Sequence, residues 1–114
     1  MMYRHMHRFL PLDRLGENAY WMAVHHPSPA YPLHILILPK QTIPTLLNAP
    51  ENDPALYADL FLLVNQLIEE FDLETKGYRL ITNGGPHQSV PIWHWHLVCE
   101  AACEDSASSG DPHA

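Results

Sequence analysis

The sequence is short of basic residues and of long apolar runs, and each shortage excludes a class of protein. Six lysines and arginines stand against thirteen acidic residues, a net charge of −7 with the histidines neutral. Nucleic-acid binding needs clustered positive charge, so we expect no DNA or RNA partner. No apolar run reaches the roughly 18 residues of a membrane span, so we expect no membrane association.

Cysteine is also scarce. Two residues, Cys99 and Cys103, are too few for the disulfide framework of a small secreted domain, and reduced thiols fit a cytoplasmic protein better. The N-terminal ten residues lack the apolar stretch of a secretory signal, which also favours the cytoplasm. The four-residue spacing of the cysteines is compatible with two metal ligands, and this alternative stays open.

The length and composition predict one folded domain. The chain has 114 residues, 46% of them apolar, which suits a single globular core. No internal repeat is present. After residue 101 the sequence becomes polar and rich in serine, aspartate and glutamate. We therefore expect a domain over residues 1–101 and a disordered polar tail over residues 102–114.

Hydrophobic patterning predicts the order strand, strand, helix, strand, strand. β-prone apolar runs place the strands at residues 20–24, 33–38, 78–82 and 92–99. The helix is predicted from Pro54 to Phe71, with Asp53 as its N-cap, an apolar stripe at helical spacing and Gly77 as a stop. Short connections between neighbouring strands favour an antiparallel sheet with one long helix packed on it, an α+β domain.

Histidine is unusually abundant, with nine residues, and two of them alternate with tryptophans in the last predicted strand. Side chains alternate faces along a strand, so His94 and His96 should point one way while Trp93 and Trp95 point into the core. A neutral imidazole can attack phosphorus, and a second, protonated imidazole can hold phosphate oxygens. The pair therefore suggests phosphate chemistry, although a surface pattern or half of a metal site would look the same.

Three polar residues upstream strengthen the phosphate hypothesis. Gln88 and Ser89 offer an amide and a hydroxyl donor, and Asn83 ends the preceding predicted strand. His87 lies beside them. The sequence therefore predicts a cluster of hydrogen-bonding groups close to the histidine pair.

These residues form a recognisable pattern. Residues 88–96 read Gln-Ser-Val-Pro-Ile-Trp-His-Trp-His, which resembles the Gln-Ser-Val-x-His-x-His-x-His motif of the histidine triad (HIT) family. The preceding strand ends in Asn83, as in that family. Residues 34–40 read His-Ile-Leu-Ile-Leu-Pro-Lys and resemble its His-x-x-x-x-Pro-Lys strand. The resemblance covers roughly residues 20–98, with three motifs in the family's order.

The resemblance implies a function and a set of roles. Family members are usually homodimers that hydrolyse or transfer nucleoside monophosphates from phosphoramidates or dinucleoside polyphosphates, with no metal or other cofactor. By resemblance, His94 is the nucleophile that forms a nucleotidyl-histidine intermediate, and His96 contacts phosphate oxygens. His34 lies near the same phosphate. The positions that bind the phosphate or the leaving group correspond to Asn83, Gln88 and Ser89.

Two of the chain's departures from the family pattern bear directly on the site residues. Ile92 occupies the position of the first motif histidine, and its side chain can neither donate nor accept a hydrogen bond. If that histidine only orients the nucleophile, a backbone carbonyl can still fix the tautomer of His94. His26 stands where many members carry an acidic residue that holds the ribose hydroxyls, which leaves the nucleotide preference open.

Three functions follow as hypotheses. The first is a nucleotidyl hydrolase or transferase that uses His94, and the second is a module that binds nucleotide without turnover. The third is a metal site formed by His94, His96 and either His34 or the cysteines, since three histidines suit Zn²⁺. We favour the enzyme because its nucleophile is present. His87 is an alternative stand-in for the missing histidine.

Overall fold

The computed structural model describes residues 14–101, so the predicted tail over residues 102–114 and Cys103 lie outside the described residues. One antiparallel sheet of five strands packs against a long helix, which confirms the predicted α+β fold. The elements are β1 Arg14–Glu17, β2 Trp21–His25, β3 Leu33–Pro39, α1 Pro54–Glu70, α2 Leu73–Lys76, β4 Arg79–Thr82 and β5 Trp95–Cys99. The strand order is β1-β2-β3-β5-β4.

The main core lies between the sheet and α1. The predicted apolar stripe of α1 is buried and comprises Leu56, Leu60, Leu63, Val64 and Leu67. Alternate residues of three strands meet this stripe, namely Trp21, Ala23, Leu33, Ile35, Ile37, Leu97 and Cys99. Because side chains alternate along each strand, the intervening residues point to the opposite face of the sheet.

The opposite face carries a small apolar cluster. Met22 and Val24 of β2 and Leu38 of β3 are buried there, and Leu36 and Ile92 pack against them. Ile92, which replaces the first motif histidine, therefore has a packing role. Within residues 14–101, no helix is both long enough and apolar enough to cross a membrane.

The sequence pattern did not predict β1. Its residues, Arg-Leu-Gly-Glu, are short and charged, and they lack the β-branched or aromatic side chains that indicate a strand. Tertiary contacts hold it at the edge of the sheet. Glu17 pairs with Arg14 and Lys40 at 2.7 and 2.6 Å. At Gly16 a Cβ atom would lie 2.9 Å from a terminal methyl of Leu63, so any larger residue would have to displace that side chain.

The last strand begins later than predicted, at Trp95 instead of residue 92. The antiparallel register pairs Trp95 with Ile37, so residue 93 would pair with Pro39, which has no N–H to donate. The Trp93 amide donates instead to the Ile43 carbonyl oxygen at 2.8 Å. His94 therefore lies in the segment that leads into β5, outside the ladder.

The end of the long helix also differs slightly from the prediction. Helix α1 stops at Glu70, and Asp72 adopts a left-handed conformation with φ of 56°. Gly77, expected to end α1, ends the short helix α2 with φ of 94°. Asp53 occupies the predicted N-cap position, where its carbonyl oxygen accepts a hydrogen bond from the Leu56 amide at 3.0 Å.

Candidate active site

Four histidine rings cluster on the sheet face that points away from α1. The His26 amide donates to the His34 carbonyl oxygen at 2.8 Å, so these residues are cross-strand neighbours at the ends of β2 and β3. Leu36 pairs with His96, which places His96 diagonally across from His34 on the same face. Ring centroids are 4.3 Å apart for His26–His34, 5.0 Å for His34–His96 and 4.9 Å for His94–His96.

His94 is held from two directions. Its Nδ1 lies 2.6 Å from the carbonyl oxygen of Ile92, and Thr82 Oγ1 donates to the carbonyl oxygen of His94 at 2.7 Å. A carbonyl oxygen can only accept, so Nδ1 carries the proton and Nε2 keeps its lone pair. The backbone of Ile92 thus fixes the His94 tautomer even though its side chain is apolar. Because His94 is buried, the ring has little freedom to turn away.

His34 and His96 are joined by a hydrogen bond, and their contacts define which nitrogen of each neutral ring carries the proton. The Ala30 amide donates to His34 Nδ1 at 3.0 Å, so the proton of a neutral His34 ring sits on Nε2. His34 Nε2 lies 2.8 Å from His96 Nδ1 and donates to it. The remaining proton of His96 is then on Nε2. His96 therefore presents an N–H donor, while His94 presents a lone pair.

Burial favours the uncharged forms of the His34 and His96 rings at neutral pH. Desolvation by burial, followed by repulsion from His94, His34 and His26, lowers the pKa of His96 to about 4. Burial is also the main cause that lowers the pKa of His34, and repulsion from His26 adds to it. For His26, burial again lowers the pKa most, and repulsion from His94 adds to it. The lowered pKa favours a neutral His96 ring in the free protein at neutral pH, instead of the protonated imidazole that the sequence pattern suggested. His96 would hold phosphate oxygens as a neutral donor, and a bound anion would favour its protonation.

We expect the folded protein to lose stability as the pH falls from 6.5 to 4. In that window the unfolded chain binds a proton at His96 and the folded chain does not, so the free energy of unfolding rises with pH. His96 is only half-buried, and we discount the shift for solvent screening to a loss of about 1–2 kcal/mol. Urea unfolding at pH 4.5 to 7.5 measures it. His96→Gln should flatten the profile, and parallel profiles would contradict the expectation.

A metal fits this cluster poorly. Within residues 14–101, one nitrogen each from His26, His34 and His96 lie within 4.8 Å of one another, the spacing that a metal site needs. A metal-ligating histidine normally donates its other ring N–H to an acceptor. Here the second nitrogens of His26 and His34 instead accept backbone N–H groups, from Ser28 and Ala30, which puts the protons on the nitrogens that would face the ion.

Cys99 does not complete such a site. Cys99 is fully buried in the main core, on the sheet face opposite the histidine rings. The hypothetical pair with Cys103 lies partly outside the described residues. The cluster is therefore better suited to donate hydrogen bonds than to bind a cation.

The other predicted site residues occupy the segment before β5. Asn83 is half-buried directly after β4, and Ser89 is exposed. The Gln88 side-chain amide donates to the carbonyl oxygens of Pro44 and Val90 at 2.6 and 3.0 Å, so it holds this segment against residues 43–44. Donation by Gln88 to phosphate stays a prediction without support from these contacts. His87 is exposed in a turn, which gives no support to its role as a stand-in for the missing histidine.

Sequence reasoning allowed for a backbone carbonyl that fixes the His94 tautomer, and the structure shows that it belongs to Ile92. It missed the amides of Ser28 and Ala30, which set the tautomers of His26 and His34, and the Thr82 hydroxyl, which holds the His94 backbone. The loop before β3 contains Pro27, Pro29 and Pro32. Proline has no backbone N–H, so the amides between the prolines, such as those of Ser28 and Ala30, are the backbone donors that this loop can offer to the histidine rings. The spacing of the prolines was therefore the one feature of the sequence that could have indicated these donors.

The fold and the site together define a class: an α+β domain with a histidine cluster on the open face of its sheet. The chain belongs to the family described as the HIT domain, whose family model matches residues 8–102. An uncharacterised HIT-like protein of Synechococcus elongatus is 36% identical over 90 residues, which cover 79% of this chain and 78% of the relative. A HIT-like protein of Chlamydia pneumoniae is 31% identical over 85 residues, or 75% and 76% of the two chains.

Solved structures agree with this assignment. A HIT family hydrolase from Clostridium thermocellum superposes with a TM-score of 0.77 and 31% identity, covering 88% of this chain and 89% of its own. A histidine triad nucleotide-binding protein from Candida albicans gives a TM-score of 0.73 and 26% identity, covering 84% and 71%. The family resemblance in the sequence is thereby confirmed.

Proposed function

We propose that this protein is a hydrolase or nucleotidyltransferase that acts on the α-phosphate of a nucleoside phosphoramidate or a (di)nucleoside polyphosphate. The observation that carries the proposal is the hydrogen bond from His94 Nδ1 to the Ile92 carbonyl oxygen, 2.6 Å long. It leaves the Nε2 lone pair available for attack on phosphorus. The hydrolase and nucleotide-binding descriptions of the solved relatives support the substrate class.

The reaction has two steps. His94 Nε2 forms a bond to phosphorus, and the bond from phosphorus to the leaving group breaks, so that group departs with the electron pair and an amine takes up a proton from solvent. The histidine ring becomes positively charged, and the Ile92 carbonyl dipole stabilises the proton on Nδ1. Water then attacks phosphorus and gives up a proton to solvent, the P–Nε2 bond breaks with its electron pair returning to Nε2, and neutral His94 is regenerated. In both steps His96 Nε2–H can donate to a non-bridging phosphate oxygen.

A second candidate function is nucleotide binding with little or no turnover. The observation in its favour is Ile92, which packs against Met22, Val24 and Leu38 instead of offering a polar ring. Against it stands the backbone carbonyl of the same residue, which performs the orienting contact without a histidine side chain. We therefore favour the enzyme.

A single-turnover reaction separates the candidates. The pure protein is mixed with adenosine and guanosine phosphoramidates and dinucleoside polyphosphates, with and without a chelator, and intact-mass spectrometry detects nucleotide bound to protein. We expect one adduct per chain, mapped to His94 and unaffected by the chelator. Binding with no adduct and no product in the whole panel would support the binding module. Loss of activity on chelation would support the metal hypothesis.

We also propose that the protein is a homodimer, as its family resemblance implies. Among residues 14–101, strand β4 is the last strand at one side of the sheet, a position that favours pairing with another strand. Phe61 and Leu62 of α1 are both about half exposed, which is compatible with an interface. Size-exclusion chromatography with light scattering should give about twice the 13.0 kDa mass of the chain. A concentration-independent monomer mass would refute the dimer.

A further inference from the structure

His26 presents a donor to the cluster and no acceptor. The Ser28 amide donates to His26 Nδ1 at 2.9 Å, so the proton of the neutral ring is on Nε2. The ring centroid lies 4.3 Å from that of His34, with the two planes tilted by 31°, and 5.9 Å from that of His96, with an interplanar angle of 23°. Both His26 and His96 are half-buried and therefore accessible to a ligand.

Two N–H groups of the cluster are not used in hydrogen bonds between its rings. The His34 proton is used inside the cluster, in the hydrogen bond to His96. His96 and His26 keep theirs. Within residues 14–101, the charges that lower the pKa of these three rings come from other histidines, and no carboxylate contributes. Although the chain has a net charge of −7, an anion at these rings would therefore meet little repulsion from the described residues.

A hydrogen-bond donor at the position of His26 selects a different ligand from an acceptor there. A carboxylate accepts hydrogen bonds from sugar hydroxyls, whereas a donor or cation in its place accommodates a phosphate. His26 has its acceptor nitrogen blocked by Ser28, so it cannot serve a diol as a carboxylate does. An anionic oxygen, in contrast, would receive a charge-assisted hydrogen bond from Nε2–H.

We propose that His26 forms a second anion subsite beside His96, so that the substrate carries a further phosphate or carboxylate close to the phosphorus that His94 attacks. The inference rests on the proposed function, because it takes the phosphate at His94 and His96 as the first anion. The 5.9 Å between the His26 and His96 rings is a separation that two linked phosphoryl groups can span.

The experiment compares matched inert ligands by titration calorimetry. Methylenediphosphonate should bind the wild-type protein about tenfold more tightly than methylphosphonate, the effect of one charge-assisted hydrogen bond. His26→Asp and His26→Phe should bring this ratio close to one, and His26→Gln, which retains an N–H donor, should preserve most of it. His25→Asp adds the same negative charge at the neighbouring residue and should leave a clear preference for the diphosphonate.

A second pair of ligands tests the sugar. The wild type should bind AMP and its 2′,3′-dideoxy analogue equally, and His26→Asp should favour AMP several-fold because the carboxylate accepts from the diol. An unchanged phosphonate ratio in the Asp and Phe variants would overturn the subsite. So would a wild-type preference for AMP that His26→Phe abolishes. Circular dichroism establishes that each variant is folded. If His26→Asp does not fold, the test rests on His26→Phe, which keeps an aromatic ring at this position.

The outcomes separate this inference from the proposed function. An adduct on His94 together with an unchanged phosphonate ratio would leave the enzyme standing and refute only the subsite. Absence of any adduct, with the ratio lost in His26→Asp and His26→Phe, would refute the catalytic proposal and support the subsite alone.

Discussion

Replacement of His94 by alanine is expected to abolish the nucleotide adduct and to lower the single-turnover rate about a thousandfold or more. Among the four clustered rings, His94 is the one whose unprotonated nitrogen, Nε2, accepts no hydrogen bond from the described residues. The unprotonated nitrogens of His26 and His96 are both occupied, so these rings present N–H donors. Rapid-quench measurement of product, with mass spectrometry of the protein, gives both quantities. Binding of AMP should change far less, because the donor of His96 remains.

Two companion variants make the His94 result specific. His87→Ala removes an exposed histidine from the neighbouring turn and should leave the rate within about twofold of the wild type, as expected for a surface residue. Ile92→His restores the motif residue while the backbone carbonyl stays in place. Turnover that appears only in Ile92→His would mean that the natural chain is a binder. A normal rate in His94→Ala would remove His94 from the mechanism.

The position of the histidine pair could be predicted, but the reason for its reactivity could not. Alternation along a strand correctly placed His94 and His96 on one face with Trp93 in the core, although His94 precedes the strand itself. The protonation pattern depends on backbone groups of Ile92 and Ala30. Such contacts arise from the path of loops, and side-chain periodicity carries no information about them.

The same distinction explains which elements of the fold could be predicted. Helix α1 shows a regular apolar stripe and a proline at its first position, so its burial pattern and its start follow from local rules. Strand β1 has no such pattern. Its place depends on ion pairs of Glu17 and on the fit of Gly16 against Leu63, contacts between residues distant in sequence.

The largest expected loss of stability follows from Trp21→Ala, about 3–5 kcal/mol. The Trp21 side chain is fully buried, its Nε1 donates to the Leu56 carbonyl oxygen at 2.8 Å, and its ring meets Trp93 edge-on at 5.4 Å. The substitution leaves a cavity between the sheet and the first turn of α1, and it removes the support of the residue that precedes His94.

Urea denaturation followed by circular dichroism measures this loss. Trp21→Phe keeps most of the ring volume and should cost only about 1–2 kcal/mol, chiefly through the lost hydrogen bond. Leu47→Ala alters a side chain that is 93% exposed and should change the free energy of unfolding by less than about 0.5 kcal/mol. Equal losses for the alanine and phenylalanine variants would show that the hydrogen bond, not ring packing, dominates. The phenylalanine variant also tests a link between Trp21 and the nucleophile. Trp21 packs on Trp93, which directly precedes His94. If this packing helps to position His94, Trp21→Phe should slow adduct formation, and an unchanged rate would confine the role of Trp21 to stability.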